Sequence, residues 1–280
     1  MKLYFTFHFT FGNNMKKIIL TLSSFVLCAP WVSHGAFLVK EKGEVIISEG
    51  DCSTRYSPCS SFKIALALMG FDAEILKDEA HPQWPFKPEY DAFREAWKQD
   101  QTPNSWMKES CAWYSQVLTS KLGRKKFQDY VKAFEYGNQD LSGDKGKDNG
   151  LTYSWLSSSL EISSEEQALF LEKLLENKLP VSKKAHEMTR RICYVQDLPN
   201  GWKLYGKTGS GYLLNPDRTE RLDLKHGWFI GWIEKGNQKI IFVHHIVDEQ
   251  KEETHAGSRA KEQAKEKLLQ LIEQVEKKGF

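Results

Sequence analysis

A chain of 280 residues with 40% hydrophobic and 27% charged residues has the composition of a globular protein able to bury a sizeable core, which excludes disordered, collagen-like and rod-like coiled-coil architectures. Lys and Arg number 39 against 37 Asp and Glu, a formal charge of +2, and with the three lysines of the first 35 residues set aside the remainder carries −1. That balance offers no electrostatic case for nucleic acid or an anionic membrane as partner.

From Met15 the chain runs through Lys16-Lys17, an apolar stretch from Ile18 to Ala29, then Pro30 and Ser33-His34-Gly35 before Ala36. Charged, apolar and small-residue segments in that order predict a secretory signal peptide over residues 1–35, with 1–14 as an upstream leader. The apolar stretch is too short for a permanent membrane anchor, and no later one is long enough. Cys28 follows Leu27, which does not suit lipidation. The expectation is therefore a periplasmic protein with one domain over 36–280 and no stable membrane anchor.

Residues 37–48 read as an opening hairpin around Gly43. Lys63 to Leu76 is a long apolar helix candidate, and Glu79 to Trp106, rich in Pro, Trp and charge without a period, reads as loop with short helices. Phe127, Tyr130, Val131 and Phe134 fall on one helix face, Gly137 to Gly150 is loop, and Ser164 with Gln167 suggests a capping box. Trp228 to Ile233 and Lys239 to Ile246 flank Lys235-Gly236-Asn237 as two strands, before a helix over 256–277. Strands at both ends and helices between them predict an α+β fold, an antiparallel sheet flanked by helices with a helical region inserted. Of the cysteines beyond the signal segment, Cys52, Cys59, Cys111 and Cys193, three pairings are open, as is the alternative that all are free and buried.

Ser60-Ser61-Phe62-Lys63 places a hydroxyl and an amine on one face of a helix start. The spacing recurs at Ser105, Ser142 and Ser258, but only Ser60 opens a strongly apolar helix, where burial would lower the lysine pKa and let it act as a base. Lys207-Thr208-Gly209, followed by Ser210, occurs once; on an edge strand it offers an ammonium and a hydroxyl to a carboxylate. Penicillin-recognising serine enzymes use these two motifs in this order.

From about Cys52 onward the chain resembles the class D β-lactamases, or oxacillinases. Tyr136-Gly137-Asn138 matches that family's Tyr-Gly-Asn motif, Trp155-Leu156 its loop tryptophan, and Gly227-Trp228-Phe229 the strand after Lys-Thr-Gly. The middle motif, Ser-x-Val, is matched literally by Ser115-Gln116-Val117, but the family spacing of about 26 residues before the motif tyrosine selects Ser110-Cys111-Ala112. Ala112 then stands where the family has a valine that helps enclose the catalytic lysine.

The resemblance implies a β-lactam substrate, Ser60 as nucleophile, Lys63 N-carboxylated to a carbamate as general base, and Ser110 as proton relay. It implies an oxyanion hole from the backbone N–H groups of Ser60 and Ser210, carboxylate binding by Lys207 and Thr208, and carbamate support from the Trp155 indole beside Ala112. No metal or other cofactor is implied. A family arginine on the terminal helix falls on Arg259, or in an alternative alignment on Ala260. A penicillin-binding sensor domain and a D-Ala-D-Ala peptidase share the first and last motifs; the Tyr-Gly-Asn and Trp155 matches favour the lactamase. His244 and His245, adjacent on a strand, face opposite sides and cannot share a metal from that element. The expected partner is a small-molecule β-lactam, bound by a monomer or a homodimer.

Overall fold

The computed structural model describes residues 35–219 and 221–277. The expected signal segment falls on residues 1–35, and all of it except Gly35 lies outside the described residues. No helix among the described residues is long and apolar enough to cross a membrane.

The opening hairpin forms as expected: β1 (Ala36–Glu41) and β2 (Glu44–Gly50) pair antiparallel around Lys42 and Gly43, both at positive φ. A 3-10 turn, Cys59–Phe62, leads into α1 (Lys63–Asp72), every residue of which from Lys63 to Phe71 is buried. The helix stops short of the expected Leu76. Glu74 takes a left-handed conformation and the Leu76 N–H returns to the Gly70 carbonyl at 2.9 Å, so Leu76 joins the core as a folded-back cap.

The tryptophan-rich stretch is loop with a 3-10 turn at Glu95–Trp97, and α2 (Pro103–Glu109) begins at its end. Then come α3 (Ala112–Leu122), α4 (Arg124–Ala133), α5 (Gly150–Tyr153), α6 (Ser164–Leu175) and α7 (Lys183–Ile192). The capping box of α6 uses Ser163 and Glu166, one residue earlier than expected. Gln167 is instead buried, donating to Ser61 Oγ and accepting from the Tyr136 hydroxyl.

β3 (Tyr194–Asp197), β4 (Lys203–Leu214), β5 (Arg221–Lys235) and β6 (Gln238–Val247) complete one six-stranded sheet in the order β2-β1-β6-β5-β4-β3. All its pairings are antiparallel, and β1 lies directly on β6, so the two ends of the chain do build a common sheet. α8 (Ala256–Lys277) packs on one face, its Ala260, Ala264 and Leu268 against Phe37, Phe229 and Phe242. The small alanines let the helix approach closely, and each fully buried Phe or Leu contributes roughly 1.5–3 kcal/mol. The opposite face carries α1 and the inserted helices in a larger core that includes Trp106, Trp113, Trp155 and Trp228. The four cysteines of this region are free and buried, which resolves the pairing question.

Candidate active site

β3 pairs with β4 only as far as Tyr205, so from Lys207 upward the outer side of β4 has no strand beside it among the described residues. The turn before α1 fills that side. A Cβ at Gly209 would lie 2.5 Å from the Pro58 carbonyl oxygen, so only glycine lets the strand approach this turn so closely. Ser60 therefore faces Lys-Thr-Gly across a narrow seam, although 147 residues separate it from Lys207.

Ser60 is half-buried, directly after Cys59 at φ 49°, a left-handed conformation that a β-carbon-bearing residue takes only when packing holds it there. Lys63 Nζ donates to Ser60 Oγ at 3.2 Å, and Lys63 is completely buried with no carboxylate partner among the described residues. Burial pushes its pKa down to about 8, the thiols of Cys111 and Cys59 opposing the shift only in part. A lysine in that range has a substantial neutral fraction near physiological pH, as a nucleophilic or basic amine requires.

Ser110 caps α2 in a left-handed conformation, φ 60° and ψ 34°, which turns its side chain toward β4. Its Oγ accepts from Lys207 Nζ at 3.0 Å, and Lys207 Nζ also reaches the Thr208 hydroxyl at 3.2 Å. Lys207 is buried, and desolvation, with the Lys63 charge added, holds its pKa well below the ordinary lysine value. Two buried amino groups thus lie within electrostatic reach of each other with no carboxylate bonded to either among the described residues, an arrangement that an anionic ligand would relieve. Ser115, the literal match to the middle motif, is buried elsewhere and accepts the Trp106 indole N–H at 2.9 Å. The geometry brings Ser110, not Ser115, to Lys207.

Trp155 is completely buried, its ring packed near Phe62 and Phe127, yet its Nε1 has no hydrogen-bond partner. An unpaired indole N–H costs about 1–3 kcal/mol and points to a missing acceptor. A carbamate on Lys63 fits on two counts, the neutral fraction of the amine and this orphan donor. Ala112, the first residue of α3, is half-buried directly after the buried Cys111.

The clamp that sets the Trp155 loop against the nucleophile turn was not legible in the sequence. Ser57 Oγ donates to the Trp155 carbonyl at 2.8 Å and accepts the Ser157 N–H at 3.0 Å, while the Trp228 indole donates to the Ser57 carbonyl. Tyr-Gly-Asn proves to be a brace for the same loop. Asn138 bonds the Ser159 carbonyl and the Glu161 N–H, Gly137 sits at φ 54° against the Glu161 backbone, and the Tyr136 ring packs on Phe62. His226 and His245, equally unforeseen, form a buried pair at 3.1 Å below Cys59. His244 points the other way, to Gln263 on α8, as strand alternation required.

Thr208 and Ser210 follow Lys207 on β4, with Ser210 exposed and its hydroxyl accepting the Gly257 N–H at 2.9 Å. Arg259 donates to both carboxylate oxygens of Asp248, at 2.8 and 2.7 Å.

Three sets of comparisons agree with this geometry. The family model for the penicillin binding protein transpeptidase domain matches residues 35–270. Beta-lactamase OXA-9 of Klebsiella pneumoniae is 44% identical over 221 residues, covering 79% of this chain and 81% of its own length. Beta-lactamase OXA-1 of Escherichia coli is 47% identical over 197 residues, 70% of this chain and 68% of its own. The crystal structure of OXA-427 class D beta-lactamase superposes with a TM-score of 0.81 at 45% identity, covering 87% of this chain and 99% of that one.

Proposed function

We propose, from the premise that this chain belongs to the class D β-lactamases within the penicillin-binding transpeptidase family, that it hydrolyses the β-lactam amide of penicillin-type antibiotics and so confers resistance to them. The observation that carries the reading is the juxtaposition, in one seam, of Ser60 with buried Lys63 and of Ser110 with buried Lys207.

Ser60 Oγ attacks the lactam carbonyl and forms the acyl-enzyme, losing its proton toward Lys63. When Lys63 carries a carbamate, that group supplies the general base for acylation and for the water that releases product. Trp155 Nε1–H would hold it, and Ala112 leaves more room beside it than the family valine does. The backbone N–H groups of Ser60 and Ser210 take the negative charge of the tetrahedral intermediate. Ser110, hydrogen-bonded to Lys207, passes a proton to the departing lactam nitrogen. Lys207 and Thr208 receive the substrate carboxylate. Residues 1–35 direct the chain to the periplasm, and 36–280 act as one catalytic domain.

The test is turnover of a chromogenic cephalosporin and of oxacillin with and without bicarbonate, with covalent mass followed on Ser60. Turnover that rises with bicarbonate is the expected result, and Lys63→Ala should lose about a thousandfold in rate while accumulating acyl-enzyme. Stable acylation of the unmutated protein without turnover would make it a sensor or peptidase instead.

A further inference from the structure

The family resemblance assigns the carboxylate of the substrate an arginine on the terminal helix, but Arg259 is engaged elsewhere. Its Nη2 bonds both oxygens of Asp248, whose side chain is only 3% exposed, and a carboxylate so buried holds its cation firmly.

The first turn of α8 nevertheless sits on the carboxylate-binding strand. Gly257 donates its N–H to Ser210 Oγ, and a Cβ at Gly257 would strike the Gly209 carbonyl. Lys261 follows Gly257 by four residues and so lies on the same face. Helical side chains lean toward the amino end, a direction that runs from Lys261 over Gly257, whose N–H is bonded to Ser210 Oγ. Lys261 is half-buried and has no ion pair or hydrogen bond among the described residues. Burial lowers its pKa, and its charge in turn depresses that of Lys207, so the two ammonium groups lie within electrostatic reach.

We propose that Lys261 is a specificity-determining residue of this site, the second cation for the substrate carboxylate, acting with Lys207 and Thr208 in the place that the family pattern gives to Arg259. The proposal rests on the β-lactamase reading and adds to it the group that selects anionic substrates. A lysine supplies a point charge on a flexible stem, where an arginine would supply a planar fork, so this site would discriminate by charge more than by carboxylate orientation.

Steady-state kinetics on the unmutated protein, Lys261→Met and Lys261→Arg, with benzylpenicillin and its carboxylate methyl ester, test this. Lys261→Met should raise KM for benzylpenicillin about tenfold and leave kcat within about twofold, as loss of one charge-assisted contact predicts. The methyl ester should be handled alike by all three proteins, and Lys261→Arg should restore most of the affinity for the acid. A KM for Lys261→Met within about twofold of the unmutated value, or an equal rise for acid and ester, would overturn the assignment. If the unmutated protein turned over no β-lactam, the underlying function would fall first and this proposal with it, a result readable without any variant.

Discussion

Lys207 Nζ lies 3.0 Å from Ser110 Oγ, joining the sheet to the inserted helical region across the seam where Ser60 sits. Both groups are needed for that bond: a buried lysine with no carboxylate partner among the described residues, and a serine turned inward by a left-handed helix cap.

Ser110 and Ser115 should separate cleanly by mutation. Ser110→Ala removes the Lys207 partner and the proton route to the lactam nitrogen, and kcat should drop about a hundredfold. Ser115→Ala strands the buried Trp106 indole N–H and should cost about 1–3 kcal/mol of stability with kcat nearly unchanged. Thermal unfolding beside steady-state kinetics checks both, and equal kinetic losses would return the motif assignment to Ser115.

Trp155→Phe keeps the packing against Phe62 and Phe127 while deleting an N–H that has no partner. In bicarbonate-free buffer the melting temperature should therefore hold or rise, since a buried unsatisfied donor has been removed. Turnover should fall about a hundredfold and become more dependent on added bicarbonate. A melting temperature that falls by several degrees would show that the indole N–H has a structural acceptor.

Acid should destabilise the protein through its buried histidine pair. Desolvation holds His226 at about 4 and His245 well below its ordinary value, so both are neutral when folded. The unfolded chain binds these protons near 6.5, so their contribution is fully present above that pH. It is lost as pH falls from 6.5 toward 4, at about 1.4 kcal/mol per pH unit for each histidine. Denaturant unfolding of His226→Asn at pH 7, 6, 5 and 4 should show a shallower slope than the unmutated protein; parallel curves would place the acid sensitivity elsewhere.

Arg259→Ala should act on stability more than on binding. It leaves the Asp248 carboxylate buried without its cation, at a cost of about 3 kcal/mol. Adding Asp248→Asn should recover a large part of that loss. Comparing melting temperatures of the single and double variants with KM for benzylpenicillin decides the matter. A KM rise in Arg259→Ala that the second substitution does not relieve would show direct contact with substrate.

Local chemistry made much of this protein legible in the sequence. Apolar strand runs near both ends, the hairpin around Gly43 and the terminal helix over 256–277 report composition and turn geometry, which neighbouring residues alone dictate. The family spacing points to Ser110, which is the serine that the fold brings to Lys207, and the apolar run after Ser60 predicts the burial that lowers the Lys63 pKa. Tertiary structure decided what depends on groups far apart in the chain. The end of α1 was set by Leu76 folding back, the α6 cap by Gln167 being drawn to Ser61 and Tyr136, and the Trp155 loop by the Ser57 clamp. Arg259 and Lys261 are the sharpest case. Both are basic residues on one helix, and only the assembled fold sets a buried Asp248 carboxylate beside Arg259 and seats Gly257, one turn before Lys261, on Ser210. The energy of a charge depends on what replaces its water, and that is a property of the assembled fold.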